Sequence, residues 1–198
     1  MRQRIFSHLR LMAAIVALTG CVGWATAGDA QTVTGQARAV QATVLGSQTV
    51  LSDTGALTGG DDARQASQVT GAVPSVLTAE ALHATTIGSP DEAASEASLA
   101  GLAVTVAGNG ITAGFVMARA AAILGGAGAG DTDIDALSIN GAPITVTGQP
   151  NQTIPLLRGR VIINEQQPLF PSGMTVNALH IVIDGVADVV IASATAGI

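Results

Sequence analysis

Three aspartates at alternate positions, Asp131, Asp133 and Asp135 in the run DTDID, are the first residues whose type and spacing point to chemistry. Alternate side chains of an extended chain share a face, and carboxylates on one face offer hard oxygen ligands to Ca²⁺. These three are the candidate metal residues, and calcium is the one cofactor the sequence raises. The run does not complete an EF-hand loop. Ala136 stands where that loop needs glycine, and Ala142 where it needs a bidentate acid. The competing reading is a solvated acidic loop entering a strand with Ile134, Leu137 and Ile139 as its core residues.

Candidates for acid–base or nucleophilic work are few. His83 and His180 are the histidines beyond the N-terminal segment, and His180 stands mid-strand between Leu179 and Ile181, where a structural imidazole is commoner than a catalytic one. Ser98 and Ser172 lack the Gly-x-Ser-x-Gly context of a nucleophile elbow. Glu92 with Glu96, or Glu165 with a remote aspartate, can be drawn as a carboxylate pair for glycoside hydrolysis, but so can other pairs among fourteen acids. The chain has no tyrosine and one tryptophan, Trp24, so the aromatic platforms usual in sugar sites are missing. No catalytic residue is assigned on these grounds.

The one cysteine asks a different question. Cys21 ends LTGC, after a basic opening (Arg2, Arg4, Arg10) and the apolar run LMAAIVAL. That order is a secretion signal, and its apolar part is shorter than the ~20 residues a bilayer span needs. Two endings are legible. ATA (Ala25–Ala27) or GDA (Gly28–Ala30) suits an ordinary signal peptidase. LTGC resembles a bacterial lipobox, whose cysteine carries lipid and becomes the new N-terminus. Residues 1–27 are therefore read as the signal, with lipoprotein cleavage before Cys21 as its variant, and residues 28–198 as one domain. The signal takes three of the eight arginines and none of the fourteen acids, leaving a net charge of −9 with no lysine. Such a surface excludes a basic groove for nucleic acid and polybasic attachment to anionic lipid. With no second cysteine, no intramolecular disulfide forms in an oxidising compartment.

The rest is written for sheets. Charged residues are 11% against ~25% in average soluble proteins, and the chain is rich in Ala, Val and Gly. Asn109–Gly110, Asn140–Gly141 and Asp184–Gly185 each sit between apolar runs, as hairpin turns do. Alternation sets Leu102, Val104 and Val106 on one face before the first turn, with Ile111, Phe115 and Met117 after it. Leu179, Ile181 and Ile183 oppose His180 and Val182; Ala187, Val189 and Ile191 oppose Asp188, Val190 and Ala192. The last strand, apolar on both faces, is expected to be central and covered on both sides. Further strands are expected in TVTGQARAVQATVLG, SQTVLSDTG, IDALSI, APITVTG, QTIPLL and GRVIINEQ. Residues 89–102 carry conflicting signals: Ser89-Pro90-Asp91-Glu92 reads as a helix start, and Ser98, Ala100 and Leu102 as a strand. A loop or helical turn followed by a strand is the reading adopted. The expected fold is all-β, an antiparallel sandwich or distorted barrel of eight or more strands, rich in hairpins. An outer-membrane barrel is disfavoured, because such barrels carry aromatic girdles and this chain lacks tyrosine.

Several of these stretches, notably VTGQARAVQATVLG, HATTIGSPDEAASEASLAGLAVTVAG, TGQPNQTI, GRVIINEQ and VNALHIVIDGVADVVIASATAGI, resemble the bacterial extracellular family called choice-of-anchor P, in order and from about Val33 to the end. The resemblance implies a secreted domain whose relatives carry different attachment devices, and it carries over no functional residues. No sorting tail follows Ile198, so Cys21 is the expected anchor. The expectation is an exported, lipid-tethered surface or matrix protein with a structural, adhesive or protein-binding role. It touches membrane only through the lipid. The alternatives are a Ca²⁺-dependent binding module and a secreted hydrolase.

Overall fold

The structure, a computed structural model, describes residues 32–198, so Cys21 and the secretion segment lie outside the described residues. These residues form thirteen strands and no helix. In chain order the strands are β1 (Thr34–Val44), β2 (Ser47–Asp53), β3 (Asp62–Val73), β4 (Leu77–Ser89), β5 (Glu92–Val106), β6 (Asn109–Ile123) and β7 (Ala129–Asp135). There follow β8 (Ser138–Ile139), β9 (Ala142–Pro143), β10 (Gln152–Leu156), β11 (Gly159–Pro168), β12 (Gly173–Ile183) and β13 (Ala187–Gly197).

They make two antiparallel sheets. The first runs β10-β11-β12-β13-β1-β2, and the second β3-β4-β5-β6-β8-β9, with β7 paired to the other half of β6. Neither sheet closes on itself, so of the two expected architectures the sandwich is the one formed. The inner faces of β12, β13 and β1 pack on β4, β5, β6 and β7. Leu99, Ile111 and Val116 from one side and Leu179, Ile181 and Ile191 from the other are fully buried there. Alanines fill the space between these larger side chains, which lets a chain poor in aromatics build a continuous core. No helix among the described residues is long and apolar enough to cross a membrane.

The hairpins follow the positive-φ logic, with one shift of position. Asn140 and Gly141 (φ 52° and 78°) form the expected two-residue turn between β8 and β9. Asp184 and Gly185 lie in a three-residue turn between Ile183 and Ala187. The β5–β6 turn is not Asn109–Gly110 but Ala107–Gly108 (φ 47° and 80°), and Asn109 begins β6 opposite Val106. Gly108 supplies the left-handed conformation two residues earlier, and that register sets Ile111 beside Val104 in the core.

Residues 89–102 hold no helical turn. The Ser-Pro-Asp signal loses to a tight hairpin, with β5 starting at Glu92 and burying Ala93, Ser95, Ala97 and Leu99 at strand spacing. APITVTG contributes only Ala142–Pro143 as strand; its remainder carries the chain back to the first sheet. β13 is central, between β12 and β1, but covered on one face only. Asp188, Val190, Ser193 and Thr195 lie on the open side. The extra apolar set arises because Ala192 has φ 52°, so its side chain is buried and the alternation resumes one residue out of phase at Ala194 and Ala196. A like reversal in β6, at Gly114, turns Val116, Ala118 and Ala120 onto the core face; Phe115 is only half-buried, and Met117, though buried, lies beside Arg119 on the other face.

Candidate functional site

On the open face of the first sheet, three adjacent strands bring four polar side chains together. Glu165 of β11 lies opposite Asn177 of β12; His180, three residues on, reaches back to Glu165 and across to Asp188 of β13. Glu165 Oε2 accepts a 2.7 Å hydrogen bond from Asn177 Nδ2 and lies 2.9 Å from His180 Nδ1. His180 Nε2 lies 3.2 Å from Asp188 Oδ1. The Glu165 and His180 side chains are 12% and 18% exposed, whereas Asp188 is mostly in water. Burial alone would raise the Glu165 carboxyl. The hydrogen bonds from Asn177 and His180, with the attraction of the imidazole, more than offset it and hold the carboxyl below its ordinary value.

This cluster fixes an imidazole at both nitrogens. Neither nitrogen faces a Ser or Thr hydroxyl among the described residues, so no activated nucleophile is assembled. A general base needs a nitrogen directed at a substrate proton, and here both are directed at carboxylates. The arrangement clamps three strands side by side.

The open face of the second sheet carries the other cluster. A row of small apolar residues, Ile87–Ala94–Ala121–Ala129, crosses β4 to β7 and floors an open trough of about 430 Å³. The next row, Thr85–Glu96–Arg119–Asp131, forms its polar wall. Arg119 Nε donates to Glu96 Oε2 at 3.0 Å, and Nη1 to Asp131 Oδ2 at 3.4 Å. The bond to Glu96 first, with the attraction of Asp131, Glu96 and Asp133, makes Arg119 hold its proton more tightly than a free guanidinium and outweighs the opposing effect of burial.

Each singled-out residue that falls among the described residues has a definite place. Asp131, Asp133 and Asp135 do share the outer face of β7, opposite Arg119, Met117 and Phe115. Strand geometry spreads them ~7 Å apart per step, and Asp131 is engaged by Arg119. Among the described residues, no three His, Cys, Asp or Glu side chains come together to hold a metal. Glu92 and Glu96 are two such steps apart along β5, about 13 Å, beyond the carboxylate separations of either glycosidase mechanism. His83 sits on the second sheet opposite Ser98, away from His180, and Ser172 donates to the Gly126 carbonyl in a loop. The partners of His180 were missed in the sequence because they come from other strands. The hairpin of β12 and β13 would have offered Asp188, diagonal to His180, but nothing local offers Glu165.

Compared with protein-family models, curated proteins and solved structures, the chain matches none. The class of protein therefore rests on its own geometry: an all-β, two-layered antiparallel sandwich whose outer faces carry paired charges.

Proposed function

We propose that the chain is an exported, non-catalytic surface or matrix protein of the choice-of-anchor P type, tethered by a lipid on Cys21, which works by association through the outside of a rigid sandwich. The observation that carries this reading is the state of its reactive side chains. Arg119 is engaged by Glu96 and Asp131, and His180 is held between Glu165 and Asp188, all on open sheet faces. Apart from the open trough beside Arg119, small side chains leave those faces low in relief, which suits contact with another surface better than enclosure of a small substrate. The acidic balance directs such contacts away from nucleic acid.

The test is intact mass and N-terminal analysis of the protein from its native envelope fraction. A chain starting at an acylated Cys21 supports the tethered reading. An unmodified start near Gly28 makes it a released protein, and full-length chain in the cytoplasm overturns export. A hydrolase reading has one observation in its favour, the imidazole set between two carboxylates. Loss of a hydrolytic activity in His180→Asn with an unchanged melting temperature would establish it.

A further inference from the structure

We infer that the free edge of β3 is a self-association site, pairing antiparallel with β3 of a second copy so that the second sheet continues across a two-fold axis. This inference rests on the reading of the protein as one that acts by association, and it names the surface and the partner.

An edge strand exposes unpaired N–H and C=O groups, and chains protect such edges with charge, proline, shortness or cover. Four of the edges here are protected. β7 presents Asp131, Asp133 and Asp135. β10 is five residues long with Pro155 inside it, and β9 is two residues ending at Pro143. β2 is seven residues long, and its ladder is distorted at Ser52, where φ is 49°.

β3 has none of these devices along most of its length. It is a twelve-residue strand at the end of its sheet, in one register with β4 from Asp62↔Gly88 to Val73↔Leu77, its ladder interrupted at Val69, opposite Ala81 of β4 (φ 49°). Alternate residues of such a strand turn their backbone groups away from the partner. Its start is covered, where Thr58 bonds Asp62 through its N–H and its hydroxyl and Arg64 donates to the Thr58 hydroxyl. Among the described residues β2 approaches its middle, where the Ser52 hydroxyl donates to Gln68 Oε1 at 3.2 Å, but no strand pairs with its outer edge. From Gln65 to Val73 there is neither charge nor proline, and Val69 is 85% exposed.

Charge decides the occupant. Like charges directly opposite each other destabilise a strand pair. A two-fold pairing sets each edge against itself, so β7 would oppose acid to acid, whereas Gln65–Val73 meets only neutral side chains. In a chain this acidic, a basic partner is drawn to Asp131–Asp135. The neutral edge is the one suited to a copy of itself. Because the two bodies repel at long range, the pair should tighten as salt rises.

The experiment is sedimentation of the purified chain from low micromolar to submillimolar concentration, with hydrogen exchange at both ends of that range. The expected result is a monomer–dimer equilibrium, slowed exchange over Gln65–Val73 at high concentration, and a dimer strengthened by salt. Val69→Lys should weaken association by at least about tenfold without lowering the melting temperature, whereas Thr153→Lys on β10 should leave association unchanged. A chain that stays monomeric throughout overturns the inference. So does a dimer that survives Val69→Lys or protects a different strand. A monomer found acylated at the surface would sink this inference alone; a dimer retained in the cytoplasm would sink the proposed function alone.

Discussion

Replacing Ser95 by alanine tests whether the two sheets are tied as well as packed. Ser95 lies on the inner face of β5 and is 4% exposed. Its hydroxyl donates across the sandwich to the Thr195 carbonyl of β13 at 2.6 Å, and lies 2.7 Å from Thr86 Oγ1 of β4. Thr86 is completely buried, and its alternative acceptor, the Ala94 carbonyl, is at 3.4 Å. The Ser95 proton is committed to Thr195, so Thr86 donates to Ser95. Removing the Ser95 hydroxyl deletes a buried hydrogen bond and leaves the Thr86 donor only the long bond to the Ala94 carbonyl, a loss of about 1–3 kcal/mol. For a domain of this size, ~2 kcal/mol lowers the melting temperature by about 4–8 °C. The assay is urea and thermal unfolding of Ser95→Ala, Thr86→Val and the double variant. With both hydroxyls gone no donor is stranded, so the double variant should lose less than the sum of the singles. Additive losses, or a Ser95→Ala variant within about 0.5 kcal/mol of the parent, would refute the tie.

Other expectations are checked by simpler measurements. The folded-state pKa of Glu165 is depressed, so its contribution to stability is complete above the ordinary value of 4.5 and is lost as pH falls through the lower folded value. Urea midpoints should therefore show an acid limb that Glu165→Gln flattens; an unchanged limb would place the acid sensitivity elsewhere. Thr132 has a buried hydroxyl with no partner among the described residues, so Thr132→Val should be neutral or stabilising by up to about 1 kcal/mol, and a clear loss of stability would contradict that assignment. Calcium should leave the melting temperature unchanged, because Asp131, Asp133 and Asp135 share a face but not a point. A calcium-dependent rise removed by Asp133→Asn would show that they converge.

The sequence's own signals reach the sheets more readily than the sites. Asn140–Gly141 is visible because two residues suffice to encode a positive-φ turn. The stretch Asp62–Ser89, which forms β3 and β4, is hard to read. Its Ala, Ser, Gln and Thr residues give almost no apolar alternation, and the strands are held by pairing with their neighbours. Face assignments hold along each half of β6 and β13 and fail across their middles, because neither the positive φ of Ala192 in β13 nor those of Gly101 and Ala136, which flank Gly114 of β6 in the neighbouring strands, are written in the hydrophobic pattern. The His180 cluster needs the register of three strands. Periodicity within one strand shows that His180 faces outward, but not that Glu165 awaits it.

Those mid-strand slips line up, which makes them a property of the sheets. In the first sheet the flanking pairs set Ser52, Ala39, Ala192, Ala178 and Asn164 side by side across β2, β1, β13, β12 and β11. Every second member of this row has positive φ, 49° to 52°. The pairings on either side keep one register, so no residue is inserted as in an ordinary bulge. In the second sheet Gly101, Gly114 and Ala136 occupy an equivalent row, with φ 56° at Gly101 and 52° at Ala136. Each row reverses the alternation of every strand it crosses, and the core is continuous only because all the strands reverse together. Left-handed backbone disfavours a non-glycine residue by about 1–2 kcal/mol, so the row should be sensitive to glycine exchange. A Cβ at Gly101 would meet Glu80 at 3.6 Å, an ordinary contact, so Gly101→Ala should lose about 1–2 kcal/mol for conformational reasons alone. Ala136→Gly, on the exposed side, should gain up to about 1 kcal/mol. Gly110→Ala, with open space and no positive φ, should be unchanged or slightly stabilised. If all three variants melt together with the parent, the rows are not fixed by backbone conformation, and the reversal must be imposed by side-chain packing.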